Sequence, residues 1–112
     1  MKAASVIFAS TAFAALLIAA PAHAVLDEAA AEKLMKKDNC ASCHSIKKKL
    51  IGPAYVDVAA KYKNDKDAVA KLTKSVKDGS TGVWGPIPMP PNTNASADDV
   101  KELVTWILTL KK

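Results

Sequence analysis

The sequence comprises 112 residues, with 16 basic against 11 acidic side chains, a formal net charge of +5 and two cysteines. This length corresponds to one small domain. All the basic side chains are lysines, they are interleaved with carboxylates, and no aromatic platform accompanies them, which argues against a nucleic-acid-binding protein. The mild basicity indicates instead a partner with an acidic surface.

Residues 1–24 have the pattern of a secretory signal peptide. Lys2 provides the positive start, residues 6–20 form an apolar run, and residues 22–24 are a small-x-small cleavage triplet. The apolar run is short for a membrane span, and the cleavage triplet follows it closely. We therefore expect cleavage before Val25, export to the periplasm, no membrane insertion afterwards, and a mature domain of residues 25–112.

The mature chain begins with a predicted helix over residues 27–39. Asp27 can cap its N-terminus, and lysines accumulate toward its C-terminal end, where the helix dipole favours positive charge. The predicted apolar face consists of Ala30, Ala31, Leu34 and Met35. The small alanines on this face would allow another helix to approach closely.

The middle of the chain predicts two more helices. A turn at residues 50–53 opens a short helix at about residues 54–62. A third helix spans about residues 66–77, with Asn64 or Asp65 as its N-cap. Its apolar stripe consists of Val69, Leu72 and Val76, and Gly79 follows its end.

A loop and a last helix complete the chain. Residues 79–94 are dense in Gly, Pro, Ser, Thr and Asn, which predicts neither helix nor sheet. Ser96 and Asp99 form a capping box at the start of the last helix. Its apolar stripe consists of Val100, Leu103, Val104, Ile107 and Leu110. The sequence therefore predicts an all-α chain of about four helices.

The segment Cys40-Ala-Ser-Cys43-His44 has the pattern of a c-type haem attachment site. The two cysteines lie about one helical turn apart, so both sulfurs can form thioethers with the haem vinyl groups. His44, tied to the second thioether, then becomes the proximal iron ligand. We expect one covalently bound haem c, which would supply apolar surface that a domain this small lacks.

Three other uses of the cysteines fit less well. A structural zinc site needs four ligands, and the mature chain has no further Cys or His. A thioredoxin-like thiol pair begins a helix after a strand, whereas this pair follows a helix. A disulfide across so short a loop stabilises little.

A six-coordinate haem needs a second ligand, and the mature chain offers two methionines. Met35 lies in the helix that enters the cysteine pair, which is typical of a core residue. Met89 lies in a proline-rich run at residues 85–92, whose stiffness suits a weak thioether ligand. The alternative for Met89 is an exposed residue of a surface loop. We assign Met89 to the iron.

The chain resembles the small bacterial class I cytochromes c of the c-551/c-552 group. The resemblance covers nearly the whole mature chain, and it lies in the cysteine motif and in residues 52–55, 57–62, 82–92 and 106–108. It implies a helical shell around one haem, with the first and last helices crossing. It also implies that Pro53 O accepts a hydrogen bond from His44, that Trp84 donates to a haem propionate and that Asn92 orients the Met89 sulfur. Ser75 departs from this resemblance, since some members place an arginine there.

These observations predict a soluble periplasmic electron carrier rather than an enzyme, acting as a monomer. Its partners would be redox proteins: a nitrite reductase, terminal oxidase or peroxidase as acceptor, and a quinol-oxidising complex or another cytochrome as donor. The rival interpretations are a five-coordinate haem protein that binds a gas or peroxide, and a thiol oxidoreductase without haem.

The lysine run at residues 47–49 has two interpretations that the sequence leaves open. It is either a solvated loop or part of a docking site. In the second case, Lys36 and Lys37 would add to the positive charge, and the apolar residues 86–88 beside Met89 would provide a dry contact.

Overall fold

The computed structural model describes residue 3, residues 9–16 and residues 26–112. The predicted cleavage triplet and the mature N-terminus at Val25 lie outside the described residues. Four α-helices follow one another: α1 (Glu28–Lys37), α2 (Tyr55–Lys61), α3 (Ala68–Asp78) and α4 (Ala97–Ile107). Within this part of the chain, none of the helices combines the length and apolar character needed to cross a membrane.

Side-chain caps begin the first and last helices as predicted. The Asp27 carboxylate accepts a hydrogen bond from the Ala30 amide at 2.7 Å, and the Ser96 hydroxyl accepts one from the Asp99 amide at 3.1 Å. Each cap satisfies one of the amides that a helix start leaves free. The Asp99 carboxylate does not fold back on Ser96 but accepts from Lys37 Nζ at 2.9 Å, so it links α4 to the end of α1.

The predicted start of α3 was two residues too early. Asp65 Oδ1 accepts from the Asp67 amide at 2.8 Å, which forms a turn before the helix rather than a cap on it. Asp65 also pairs with Lys71 at 2.7 Å. The helix therefore begins at Ala68, after a residue whose side chain caps nothing.

The core forms where α1 crosses α4, as the resemblance implied. Ala31 is fully buried, and a contiguous cluster surrounds it: Met35, Tyr55, Val58, Leu103, Trp106 and Ile107. A small side chain at the crossing allows the two helices to approach closely. A second cluster joins α3 to α4 through Ala95, Val100 and Val104, against which Val69, Leu72 and Val76 pack. The apolar stripes predicted for α3 and α4 are thus confirmed, except that Leu110 lies beyond the end of α4. Of the face predicted for α1, Ala31 and Met35 are buried, whereas Ala30 and Leu34 are only half-buried.

Candidate functional site

The cysteine segment follows α1 after a sharp change of direction. Asn39 has a positive φ of 61°, a left-handed conformation that asparagine tolerates better than most residues. A single 3₁₀ turn then spans Cys40–Ser42, and the His44 amide donates to Cys40 O at 2.9 Å. Both cysteines are free and half-buried. Burial raises the pKa of the Cys40 thiol above its usual value.

The His44 ring is held on two sides. Its Nδ1 lies 2.8 Å from the carbonyl oxygen of Pro53. Since a carbonyl only accepts, Nδ1 is the donor, and Nε2 is the ring nitrogen that Pro53 leaves for another contact. A Cβ atom at Gly52 would lie 2.5 Å from His44 Cε1, so only glycine leaves room for the ring there.

Backbone hydrogen bonds fasten the cysteine segment to the start of α2. The Gly52 amide donates to Cys43 O at 2.8 Å, and the Tyr55 amide donates to Ser45 O at 3.0 Å. The Tyr55 ring stacks on the His44 ring, with centroids 5.0 Å apart. Tyr55 is buried, which raises the pKa of its hydroxyl well above the usual range. The histidine therefore sits on a rigid, largely apolar support.

Met89 is fixed by backbone pairing, which the sequence interpretation did not include. Its amide donates to Ser80 O at 2.8 Å, and the Ser80 amide donates to Met89 O at 2.9 Å, which makes a one-pair antiparallel bridge. Gly79 has a φ of 84°, and a Cβ atom there would lie 2.8 Å from Met89 O. The stiffness expected of the proline-rich run is therefore only part of what shapes this loop, because main-chain hydrogen bonds also hold it.

Asn92 connects the Met89 loop to the cysteine segment. Its side-chain Nδ2 donates to Asp38 O at 2.8 Å, and its Oδ1 accepts from the amides of Asn94 and Ala95, each at 3.0 Å. Three partners fix the orientation of this amide. One amide hydrogen is thereby used on Asp38 rather than on Met89, and the Met89 contact stays a prediction.

All seven residues predicted for the site line one cavity of about 770 Å³: Cys40, Cys43, His44, Pro53, Trp84, Met89 and Asn92. Met35 does not line it but is buried at the crossing of α1 and α4. Trp84 is 38% exposed and stands at the mouth of the cavity. Apolar residues of α3 and α4 complete the wall: Leu72, Val76, Val100, Leu103, Val104 and Ile107.

Two carboxyl groups lie in the wall near Cys40. Asp38 is buried at 3% exposure, and burial, followed by the nearby Asp99, raises its pKa. Asp99 has the opposite shift, since its hydrogen bond to Lys37 holds its pKa below the usual value. This part of the cavity therefore has an acidic character.

Several residues of the site were not identified from the sequence. Tyr55, Gly52 and Asp38 were given no role, although Gly52 and Tyr55 flank the predicted Pro53. A glycine directly before the residue whose carbonyl accepts from His44 was the available signal for a close approach by a side chain. Asp38 gave no signal, because its burial depends on α4, which is remote in sequence.

The comparisons with known proteins agree with this geometry. The Cytochrome c family matches residues 28–111. The chain belongs to the cytochrome c family. Cytochrome c-552 of Nitrosomonas europaea is 52% identical over 97 residues, covering 87% of this chain and 88% of that protein. Cytochrome c-551 of Pseudomonas denitrificans is 56% identical over 80 residues, covering 71% and 96%.

A solved structure supports the same fold. The crystal structure of wild-type Nitrosomonas europaea cytochrome c552 superposes with a TM-score of 0.69 at 54% identity, covering 71% of this chain and 99% of that one. The chain is a small class I monohaem cytochrome c, and its cofactor is one covalently attached haem c. Proteins of this family transfer electrons by means of such a haem.

The residues of the cavity fit a haem. A volume of about 770 Å³ lies within the roughly 300–1,000 Å³ typical of small-molecule and cofactor sites. Two free thiols, an imidazole whose Nε2 is not used by Pro53, and a thioether all belong to the same wall. The absence of a side chain at Gly52 lets the His44 ring occupy its position without a steric clash, which also fits a role for His44 as an iron ligand.

Proposed function

We propose that this cytochrome c is a periplasmic electron carrier with a six-coordinate haem. Cys40 and Cys43 hold the porphyrin through thioethers, and His44 and Met89 are the axial ligands. When bound, the haem iron supplies reversible one-electron exchange between Fe(III) and Fe(II). The observation that carries the proposal is that His44 and Met89, which are remote in sequence, line the same cavity as both thiols.

The surroundings of His44 support its role as ligand. Pro53 O accepts a hydrogen bond from Nδ1 at 2.8 Å, which leaves Nε2 as the coordinating nitrogen and increases its basicity. The stacked Tyr55 ring and the close backbone of Gly52 limit rotation of the imidazole. A ligand held in this way needs little rearrangement when the oxidation state of the iron changes.

The surroundings of Met89 support it over Met35 as the second ligand. Met89 lines the cavity on a loop fixed by the Ser80 bridge, so its position does not depend on a strong bond from its sulfur. Met35 is 5% exposed within the α1–α4 core, away from the cavity. A soft thioether favours the reduced iron and raises the reduction potential.

Trp84 and Asn92 are proposed to support the bound haem. Trp84 offers an indole N–H donor at the cavity mouth, suited to a propionate oxygen. Asn92 keeps one amide hydrogen after its bond to Asp38 O, and this hydrogen is available to the Met89 sulfur. These two roles rest on the resemblance and on the position of both residues in the cavity wall.

With both axial positions filled by protein groups, no substrate reaches the iron, so we propose a carrier and not an enzyme. Redox proteins are the partners, and the acceptor and donor classes named above all fit equally well. Residues 1–24 direct export, and the mature protein, residues 25–112, works as a monomer in the periplasm. Export fits thioether formation, which takes place outside the cytoplasm in bacteria.

The test is the exported, purified protein. We expect an intact mass equal to residues 25–112 plus one haem, and pigment that acid–acetone does not extract. We expect low-spin spectra in both oxidation states and no titratable thiol. High-spin spectra without added ligand would favour the five-coordinate, ligand-binding alternative. A mass equal to the bare polypeptide, with two free thiols, would favour the thiol oxidoreductase.

A further inference from the structure

Lys61, the last residue of α2, stands over the ring of Trp84. Its Nζ lies 5.0 Å from the ring centroid, within the range in which an aromatic face attracts a cation. Little else packs around this part of the loop, because Cβ atoms at Gly82 and Gly85 would meet nothing within 4 Å. The contact between Lys61 and Trp84 therefore links a sparsely packed part of the loop at the cavity mouth to α2.

Several other lysines are paired with carboxylates. Lys71 pairs with Asp65 and Lys74 with Asp78, both at 2.7 Å, and Lys112 pairs with Asp57 at 2.6 Å. Within residues 26–112, Lys61 takes part in none of the ion pairs, so its charge is not neutralised by a carboxylate.

The α3 side of the cavity wall offers no charge in its place. Ser75 lines the cavity, but its hydroxyl donates to Lys71 O at 3.1 Å, one turn earlier in the helix. The sequence contains no arginine. Two lysines line the cavity: Lys49, from an exposed loop, and Lys112, which is paired with Asp57. Lys61 adds a third positive charge through its position over the cavity-lining Trp84.

Haem c carries two propionates, which are ionised at neutral pH. They lie on the porphyrin edge opposite the vinyl groups that bond to the cysteines. In a haem held by Cys40 and Cys43, the propionates would thus point away from Cys40 and from the acidic pair Asp38 and Asp99 beside it. The Trp84 side of the cavity favours them on both counts, since it combines an indole donor with a nearby cation.

We propose that Lys61 is a positioning residue: it holds the Trp84 indole at the cavity mouth and supplies the positive charge that the haem propionates face. This inference rests on the proposed function. A cation near the haem opposes the additional positive charge of Fe(III) and so raises the reduction potential. Removing the Lys61 charge should lower the reduction potential and make the Trp84 indole more mobile.

The experiment compares the holoprotein with three variants: Lys61→Gln, Lys61→Arg and Lys63→Gln. Lys63 is an exposed lysine two residues further on, and the cation over the Trp84 ring is Lys61, so the Lys63 variant controls for net charge. The readouts are the midpoint potential at low ionic strength and the hydrogen-exchange rate of the Trp84 indole N–H in the reduced protein. The indole of the buried Trp106 is the internal reference.

Lys61→Gln should lower the potential more than Lys63→Gln and speed Trp84 indole exchange several-fold, without changing that of Trp106. Lys61→Arg should keep both the reduction potential and the Trp84 indole exchange rate close to those of the parent. Equal potentials for the two Gln variants, with unchanged indole exchange, would overturn the inference. The proposed function fails separately, on the parent protein, if that protein lacks a covalent haem or a methionine-ligated spectrum before any variant is compared.

Discussion

The ring of Tyr55 stacks on the ring of His44, with centroids 5.0 Å apart and planes inclined by 24°. Tyr55 is the first residue of α2 and is 5% exposed, so the start of this helix packs a buried aromatic ring against the imidazole. Pro53 O fixes the edge of the same imidazole through Nδ1. Together these contacts determine both the tilt and the rotation of the ring.

We therefore predict different effects for two substitutions of Tyr55. Tyr55→Phe keeps the stacked ring and should leave the ferric spectrum close to that of the parent. Tyr55→Leu removes the stacked aromatic ring, so the imidazole should rotate more freely. The g-value anisotropy in the electron paramagnetic resonance spectrum of the ferric protein should then change. Identical spectra for the parent and Tyr55→Leu would mean that Pro53 alone orients the ring.

The elements around this site differ in how far local sequence predicts them. The helices follow from apolar periodicity and from caps such as Asp27 and Ser96, whose partners lie three residues away. The start of α3 was predicted two residues too early because Asp65, one of the expected caps, accepts from the Asp67 amide in a turn before the helix, and the Asp67 side chain caps nothing. Helix caps and apolar stripes depend on residues close to one another in the chain, so they can be predicted from the sequence.

Contacts between remote segments were not predictable in the same way. The bond from Asn92 Nδ2 to Asp38 O joins residues 54 positions apart. The Lys61–Trp84 contact likewise depends on how the loop returns across α2. The site residues themselves were named from the cysteine motif and from family resemblance, whereas their supports, such as Ser80 for Met89, required the fold.

We predict that the two methionines respond in opposite ways to substitution. Met89→Ala should abolish the sulfur-to-iron charge-transfer band of the ferric protein and lower the reduction potential. Met35→Ala should keep the band but lower the free energy of unfolding by about 2 kcal/mol or more, as expected for a buried methionine. The absorption spectrum and chemical denaturation distinguish the two effects. Loss of the band in Met35→Ala, with the band intact in Met89→Ala, would reverse the axial assignment.

Asp38 should make stability depend on pH. Burial raises its pKa in the folded chain above the ordinary value of 3.8. A carboxyl of this kind stabilises the fold fully below pH 3.8, and this contribution is lost as the pH rises through the folded pKa. We therefore expect Asp38→Asn to be more stable than the parent at pH 7. This difference should shrink as the pH falls through the raised folded pKa of Asp38 and should change no further below 3.8.

Asp99 provides a control of opposite sign. Its pKa is lowered by Lys37, so its stabilising contribution is present above the ordinary value of 3.8 and is lost on acidification. Asp99→Asn should therefore be less stable than the parent at pH 7. Denaturation midpoints measured from pH 3 to 7 on both variants make the comparison. A stability gain at pH 7 from Asp99→Asn, or a loss from Asp38→Asn, would contradict these assignments.

The surface around the cavity mouth combines charge with exposed apolar side chains. Lys47, Lys48 and Lys49 are exposed, whereas Lys37, which the sequence interpretation added to them, is paired with Asp99 at 2.9 Å. Ile87 is 63% exposed on the Met89 loop, and Ile51 is 59% exposed beside the lysine run. Exposed apolar groups of this size around a cofactor cavity are typical of a contact surface.

We predict that electron transfer to an acidic partner slows as salt is added but keeps a salt-insensitive remainder. The lysines attract the partner over a distance that salt limits to about 10 Å at 0.1 M, whereas apolar contact is not screened. The measurement is the bimolecular rate against ionic strength for the parent and for Lys47/Lys48/Lys49→Gln. A matched triple variant, Lys63/Lys66/Lys101→Gln, removes the same charge from exposed positions that do not line the cavity. We expect a shallower salt slope for the first variant than for the second; equal slopes would show that the lysine run is only a solvated loop.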